Sequence, residues 1–569
     1  MASQSFTSQT PAQTPSENQD GFAPQVPTSG KVGQKWGIPG LANHLDLLAA
    51  MLVLGGFVWR VWLAQATFFN TDEAWHYSVA NHDSLAAAYK ASLTLLHPPL
   101  LVLVVHYWRH LGTSDLWLRF PSVIAGTMLC WAVYKWLSRV FGPSVGWVGL
   151  MLVTFLPPMI ALSAELRQYT LMMVFAVCSA YLLEGALASN SIWRMVGLFL
   201  WLYLAMLSHY SAFLFAAALG IYGILRIIRE RPRAALVTTW FAGQLAGIGL
   251  GLLLYFTQIK GLRSVYAGAQ PLNNYANWYL ADWYFHPGRD RLLPFLYRGT
   301  LGVFRFTFGQ TAVGQIAAIL FVIGVVLLFR QRTSSRKPAP RLTSVLLLVP
   351  FVLSWFAVRA GLYPFGRTRQ CVFLALFVIA GVSVALVRIS GERVAVASVL
   401  ALGMVIVCHA RGTLQGRDML PLAEQRHEHM DKMVEFLRRN VSPNDVIYTD
   451  QATSFQLRHY LCNQKPVNNE LLPQGFESFR CEQFRVVFTG PNDGALTAEA
   501  LNVRRHNADG RLDLNSTAVH VWVVQGGWAS GLGEELQRLL PLTHIDVHSF
   551  GRYLEIIELP DPVPRFAQG

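Results

Sequence analysis

Long apolar runs separated by short polar loops constrain this chain more than any other feature. Runs long enough to cross a bilayer occupy 45–69, 119–138, 144–162, 169–187, 195–208, 210–228, 235–257, 311–329, 342–359, 370–387 and 394–410. A hydrocarbon core about 30 Å thick takes about 20 apolar helical residues to cross, so the pattern predicts about eleven transmembrane helices. Composition agrees: 53% of the 569 residues are hydrophobic and 14% charged, outside the usual balance of a soluble globular chain. The formal net charge of +13 does not read as a nucleic-acid footprint. The basic residues fall in short clusters between apolar runs, not in one stripe with interleaved aromatics.

Those clusters set a topology. The run 98–108 is shorter than a span and ends in Arg109 and His110, so it reads as an interfacial or re-entrant helix. With it left outside and the N-terminus cytoplasmic, Lys135 and Arg139, Arg194, the group from Arg226 to Arg233, the group from Arg330 to Arg341, and Arg388 with Arg393 all fall in inner loops, as the positive-inside rule demands. The outer side then receives 67–118, the turn near Glu165, the loop 258–310, the turn 360–369 and the whole C-terminal tail. Residues 1–36, rich in Ser, Thr, Gln, Pro and Gly, are expected to be a disordered cytoplasmic segment. No cleavable signal is visible, and the first run reads as an anchor that stays in place. A transmembrane domain is expected over 37–411 and a small extracytoplasmic α/β domain over 412–569. In the latter a helical stretch, 428–439, precedes short β-branched runs at 445–449, 485–489, 519–524 and 553–558, with a second helix at 534–540. No repeat and no nucleotide-binding signature appears. Cys130, Cys178, Cys371 and Cys408 lie inside apolar runs, whereas Cys462 and Cys481 lie in a polar region, where a disulfide forms if that region faces an oxidising compartment.

Four polar constellations interrupt the apolar pattern. Asp72 and Glu73 follow the first run directly. Two carboxylates beside hydrocarbon are costly unless used, although Thr71 or Asp72 capping a helix through Tyr89 explains the same acids. His97-Pro98-Pro99-Leu100 contains a helix-start proline and an isolated histidine. Ser163 to Tyr169 sets Glu165 and Arg167 between two spans, either as a structural ion pair or as functional groups. Arg359, Arg367 and Arg369 cluster on the outer side against the positive-inside trend. Snorkelling anchors are the ordinary reading there, but arginine also suits bidentate phosphate recognition. His209-Tyr210 and the aromatic loop from Tyr275 to His286 are weaker signals.

Taken in order, these pieces resemble the membrane-embedded GT-C glycosyltransferases, in particular the family 39-like group that includes protein O-mannosyltransferases and lipid A aminoarabinose transferases. The resemblance spans roughly 45–410 and rests on Asp72-Glu73, His97-Pro98-Pro99-Leu100, Leu118-Arg119-Phe120-Pro121-Ser122 and the stretch from Glu165 to Tyr169. It implies a mainly α, polytopic GT-C fold and a polyprenyl-phosphate-linked sugar donor. It also implies an acceptor glycan, lipid or protein on the outer face, with membrane lipids as the other partners and no nucleic acid. A bacterial inner membrane is the expected location. The resemblance places Asp72 as the acid that acts on the acceptor, Glu73 beside it, and Glu165 where relatives carry a second acid that helps bind a metal or position the acceptor. The chain lacks the D-x-D form of oligosaccharyltransferases, so a divalent metal stays an open possibility. It also lacks the lysine that aminoarabinose transferases carry beside the second motif's proline, having His97 as mannosyltransferases do.

The chemistry expected from such a site is one displacement, with inversion: Asp72 as general base, Glu73 and Glu165 orienting or coordinating. His97, Arg167, Tyr169, His209, Arg359, Arg367 and Arg369 are the candidate substrate contacts, with Arg359, Arg367 and Arg369 stabilising the departing phosphate and Arg167 or Arg263 as substitutes. A transporter or lipid flippase is the competing class. Paired repeats and broken helices in matching positions are its signature, and the sequence shows neither.

Overall fold

The computed structural model describes residues 39–262, 280–331, 338–410, 425–443, 445–462, 469–472, 476–489, 521–526, 538, 546–551 and 553–559. The expected disordered segment 1–36, most of the expected helix 534–540, and Arg263, Tyr275, Arg332, Arg336 and Lys337 lie outside the described residues.

Every apolar run forms helix. The first is α1 (Pro39–Ala66), after which the chain makes three short helices, α2 (Thr71–Ala80), α3 (Leu85–Ser92) and α4 (Leu100–Trp108). Then follow α5 (Asp115–Val140), α6 (Pro143–Phe155), α7 (Pro157–Ser163), α8 (Tyr169–Ser189), α9 (Ile192–Ser208), α10 (Ser211–Glu230) and α11 (Ala234–Leu254). Beyond them lie α12 (Leu292–Phe308), α13 (Thr311–Arg330), α14 (Pro340–Arg359), α15 (Leu374–Ile389) and α16 (Val394–Ala410). Among the described residues seven helices are long and apolar enough to cross a membrane, eight if the bent pair α6–α7 is one span. This is fewer than the eleven runs suggest. Helices α9, α15 and α16 have only 17, 16 and 17 residues, about 24–26 Å at 1.5 Å per residue. The run 370–387 overstated its helix because it begins in a tight turn at Arg369–Cys371. Residues Leu374 to Val387 of α15 are all buried, so protein, not lipid, is their solvent.

Two stretches assigned to outer loops are structured. The expected helix through Tyr89 stops at Ala80, and a new one starts where Ser84 accepts a hydrogen bond from Ala87 N at 3.2 Å. Helix α12 escaped the apolar count because Arg298 and Arg305 interrupt it. Its glycine face packs tightly against the arginine-bearing loop: a Cβ at Gly302 would sit 2.7 Å from Arg367 N, and one at Gly299 2.7 Å from the Phe365 ring.

The α6–α7 break, a 62° bend, follows from Pro157-Pro158. Prolines lack the N–H that an α-helix would aim at the carbonyls four residues back, here Val153 and Thr154. Arg60 of α1, 1% exposed, supplies the missing donors, with Nη2 to Val153 O at 3.3 Å and Nη1 to Thr154 O at 3.2 Å.

After α16 the chain builds a mixed sheet with two helices, α17 (His427–Asn440) and α18 (Gln451–Leu461). Strands β1 (Val446–Asp450), β2 (Glu470–Leu471), β3 (Glu477–Cys481), β4 (Phe484–Thr489), β5 (Val521–Gly526), β6 (Asp546–Ser549) and β7 (Leu554–Leu559) take the order β2-β3-β4-β1-β5-β7-β6. Central β1 is parallel to β4 and β5, with Tyr448 opposite both Val487 and Val523, and the outer pairs are antiparallel. All five β1 residues are buried, which is why Val446, Ile447 and Tyr448 are apolar in succession and do not alternate with polar residues. Met430, Met433 and Leu437 of α17 and Leu457 and Leu461 of α18 share one core with Ile447, Val486 and Ile556. Cys462 and Cys481 form a disulfide, closing α18 against β3.

Candidate active site

The site is assembled from the start of α2. Its cap is Asn70, where the sequence suggested Thr71 or Asp72. Asn70 Oδ1 accepts from Glu73 N and Glu73 Oε2 accepts from Asn70 N, both at 3.0 Å, a reciprocal capping box. Glu73 is fully buried and its oxygens are spoken for: Oε1 accepts from Arg119 Nε and Leu166 N at 2.7 Å each, and Oε2 from Arg119 Nη2 at 2.7 Å. Arg119, equally buried, also donates to Ala64 O, Thr67 O and Phe68 O at 2.6–2.8 Å. One ion pair thus fixes the end of α1, the first turn of α2 and the 164–168 turn.

Asp72 faces elsewhere. Its side chain is 28% exposed, and Oδ2 lies 3.4 Å from Arg167 Nη1 and 3.5 Å from Arg369 Nη1. The same Arg369 nitrogen is 3.3 Å from Glu165 Oε2, so one guanidinium bridges the two acids. The anticipated Glu165–Arg167 pairing is not made through side chains. Glu165 is held by Arg369, while Arg167 reaches Asp72 and, through Nη2, Tyr169 Oη at 3.3 Å.

Environment drives the two carboxyls apart. Burial favours the neutral form of Asp72, but Arg167 and Arg369, with help from His76, outweigh it and hold its carboxyl below the ordinary value. Burial pushes Glu165 up. Arg369 pulls it back, but the nearby Glu73 and Asp72 reinforce burial, and the net direction is upward. An ionised acid beside a protonatable one is the pattern by which two carboxyls take different tasks.

Behind the acids stand three buried histidines. The His97 ring lies 5.8 Å from that of His76 and stacks at 5.2 Å on His209. Burial, aided by the Arg167 charge, lowers His76 to about 3 and, against an opposing Gln370 hydrogen bond, His209 to about 3; His97 also falls well below its usual value. All three are therefore neutral near pH 7. His209 Nε2 is 2.9 Å from Gln370 Oε1, and His76 Nδ1 is 2.7 Å from the Asp72 carbonyl. His76 Nε2, His97 Nδ1 and both polar atoms of the Gln168 amide are buried without a hydrogen-bond partner among the described residues. Such groups are rare in folded proteins, and here they cluster beside the acids.

Of the three outer arginines, Arg369 joins the acid pair. Arg367 is half-buried on the same loop, and Arg359 is exposed at the end of α14, its guanidinium 5.5 Å from the Phe285 ring. Sequence reasoning missed Arg119, His76, Gln168 and Gln370 as site members. Arg119 carried a usable signal, an ionisable residue inside an apolar run. Among the described residues no group of three or more His, Cys, Asp or Glu is arranged to hold a metal ion, and the cation lying between Asp72 and Glu165 is a guanidinium.

Residues 96–256 match the family model described as dolichyl-phosphate-mannose-protein mannosyltransferase. No curated protein matches the chain. Among solved structures, apo ArnT from Cupriavidus metallidurans is similar with a TM-score of 0.52 at 13% identity over 91% of this chain and 98% of its own. The same protein bound to undecaprenyl phosphate gives 0.50 at 12% identity over 92% and 98%. The oligosaccharyltransferase AglB from Archaeoglobus fulgidus, in complex with an inhibitory peptide and a dolichol-phosphate, gives 0.46 at 11% identity over 84% and 69%.

Proposed function

We propose, for a polytopic chain with the GT-C fold of ArnT and a segment, 96–256, of the dolichyl-phosphate-mannose-protein mannosyltransferase family, that it transfers a sugar from a polyprenyl-phosphate donor to an acceptor hydroxyl. The observation that carries this reading is the part-exposed Asp72 carboxylate, kept ionised between two arginines with a raised Glu165 beside it.

In the proposed step Asp72 accepts the proton of the acceptor hydroxyl as its oxygen forms a bond to the anomeric carbon. The bond from that carbon to the phosphate oxygen breaks, its electron pair leaving with the lipid phosphate. Attack opposite the leaving group inverts the anomeric centre. Charge on the phosphate grows as it departs, and Arg167 and Arg369 are placed to meet it. Drawing these guanidiniums toward phosphate loosens their hold on Asp72 and makes it a better base as the reaction proceeds. Neutral His76 and His97 and the Gln168 amide supply hydrogen bonds suited to sugar hydroxyls or phosphoryl oxygen. Glu73 acts by position alone.

The placement of basic clusters supports the extracytoplasmic face for this chemistry, and the Cys462–Cys481 disulfide supports the same side for the C-terminal domain. The transporter alternative gains no support from the fold. Asp72→Asn is expected to abolish release of polyprenyl phosphate from dolichyl-phosphate mannose and from a panel of undecaprenyl-phosphate sugars, with expression and membrane insertion intact. Wild-type turnover by that variant removes Asp72 from the mechanism.

A further inference from the structure

Helix α2 has ten residues, too few to hold its own position, so the placement of Asp72 is decided by what grips the ends of α2. Its C-terminal end is held by the short helix α4 and the turn after it: His106 Nδ1 is 3.0 Å from Ala80 O, and Arg109 Nη1 donates to Asn81 Oδ1 at 2.9 Å. The N-terminal end is fed by Phe68 and Phe69, and here the partners come from the other end of the sequence. Phe69 N donates to Tyr460 Oη at 2.7 Å, and Phe69 O accepts from Gln456 Nε2 at 3.0 Å. Phe68 N donates to Gln425 O at 3.0 Å, and Phe68 O accepts from Gln425 Nε2 at 2.9 Å. Both backbone groups of both residues are therefore engaged by residues that follow the last apolar helix.

The grip is rigid at its source. Tyr460 Oη, while accepting from Phe69, donates to Asp115 Oδ2 at 2.5 Å, and His459 Nε2 lies 2.8 Å from Asp115 Oδ1. Asp115 opens α5, the helix whose Arg119 holds Glu73. Helix α18 is pinned to the sheet at both ends, by Asp450 Oδ1 accepting from Thr453 N at 2.8 Å and by the disulfide at Cys462. The Phe69 ring stacks on His459 at 4.6 Å and Trp75 on Phe455 at 5.9 Å. From Tyr460 to the reacting carboxylate the path is short: Phe69, the Asn70 cap, then Asp72.

We propose that Tyr460 and Gln456 are positioning residues: through Phe69 they hold the α2 N-terminus so that Asp72 sits against Arg167 and Arg369, making the C-terminal domain part of the catalytic apparatus. The inference rests on the glycosyltransferase reading for its kinetic consequence but not for its structural one, and the two are separable by experiment.

The test uses the full chain, purified in nanodiscs, as wild type, Tyr460→Phe and Gln456→Leu. Hydrogen exchange of the amides in 68–75 is expected to quicken roughly tenfold in each variant, the loss of one or two buried hydrogen bonds, with the strand amides of 446–450 unchanged as the control for folding. The groups around Asp72 are Arg167, Arg369, His76, Glu165 and Glu73. If α2 slips away from the two arginines, the acid limb of the pH–rate profile with dolichyl-phosphate mannose or an undecaprenyl-phosphate sugar moves to higher pH. A merely lower folded fraction scales the profile without moving it. Unchanged exchange in 68–75 in both variants overturns the proposal, and so does faster exchange with an unmoved acid limb. Should one variant fail the folding control, the other decides. Wild-type protein inert toward every donor refutes the glycosyltransferase reading, and the exchange experiment then still accepts or rejects the grip.

Discussion

Asp72 and Glu73 are adjacent in sequence and opposite in fate. Successive residues on a helix point about 100° apart, so one carboxylate enters the Arg119 network while the next faces the cleft. Removing the Glu73 charge leaves Arg119 as a buried, uncompensated cation, a change that costs about 3–5 kcal/mol. Glu73→Gln is accordingly expected to lower the thermal midpoint of the detergent-solubilised protein by far more than Asp72→Asn. The order of transfer activities is the reverse of that structural one, Asp72→Asn being the fully inactive variant. A Glu73→Gln protein as stable as wild type argues that the bidentate pair is not what fixes the turn. The sequence displayed the two acids plainly, but which was structural depended on Arg119 and Leu166, residues 46 and 93 positions away.

At the scale of elements, the break between α6 and α7 decides where Glu165 and Arg167 go, because the 62° bend redirects α7 and the turn that follows it. Hydropathy reads 144–162 as one continuous run, and it is Pro157-Pro158 within that run that make the break. That Arg60 satisfies the two carbonyls they orphan at the end of α6 is invisible in the sequence, since Arg60 lies two spans earlier. Two effects compete in Arg60→Leu: relief of a buried cation, and exposure of Val153 O and Thr154 O as unpaired acceptors at about 1–3 kcal/mol each. The lost hydrogen bonds are expected to win, lowering the thermal midpoint, with Arg60→Lys recovering part of the loss. A more stable Arg60→Leu protein shows that desolvation of the cation dominates instead. The helix α12 is a second case of tertiary override. Arginines hid it from an apolar count, yet its glycines are what allow the Arg369 loop to approach closely.

Across the whole molecule, helix α18 links the mixed sheet to the acid cleft, and its C-terminal end, next to Tyr460, is closed by Cys462–Cys481 across 19 residues. A loop of that size contributes about 3 kcal/mol through the unfolded state. Replacing both cysteines by serine is therefore expected to lower the stability of the C-terminal domain by about that amount, read as earlier urea unfolding by tryptophan fluorescence. Loosening α18 also loosens its hold on Phe69, so transfer falls in the same variant before the sheet unfolds. Full activity with the sheet already unfolded dissociates the domain from catalysis.

The membrane solvent, the helical class, the β-character of the C-terminal segments and the four polar constellations were legible along the chain, because hydropathy and periodicity are local properties. An apolar run shows only that a segment avoids water and not whether lipid or protein surrounds it, as α15 illustrates. That Asp72 and not Glu73 faces the cleft, that Arg369 and not Arg359 bridges the acids, and that Tyr460 and Gln456 reach Phe69 follow from the folded arrangement alone. Each of these is a contact between residues tens to hundreds of positions apart, and the direction of a side chain toward a distant partner leaves no trace in the local pattern of the chain.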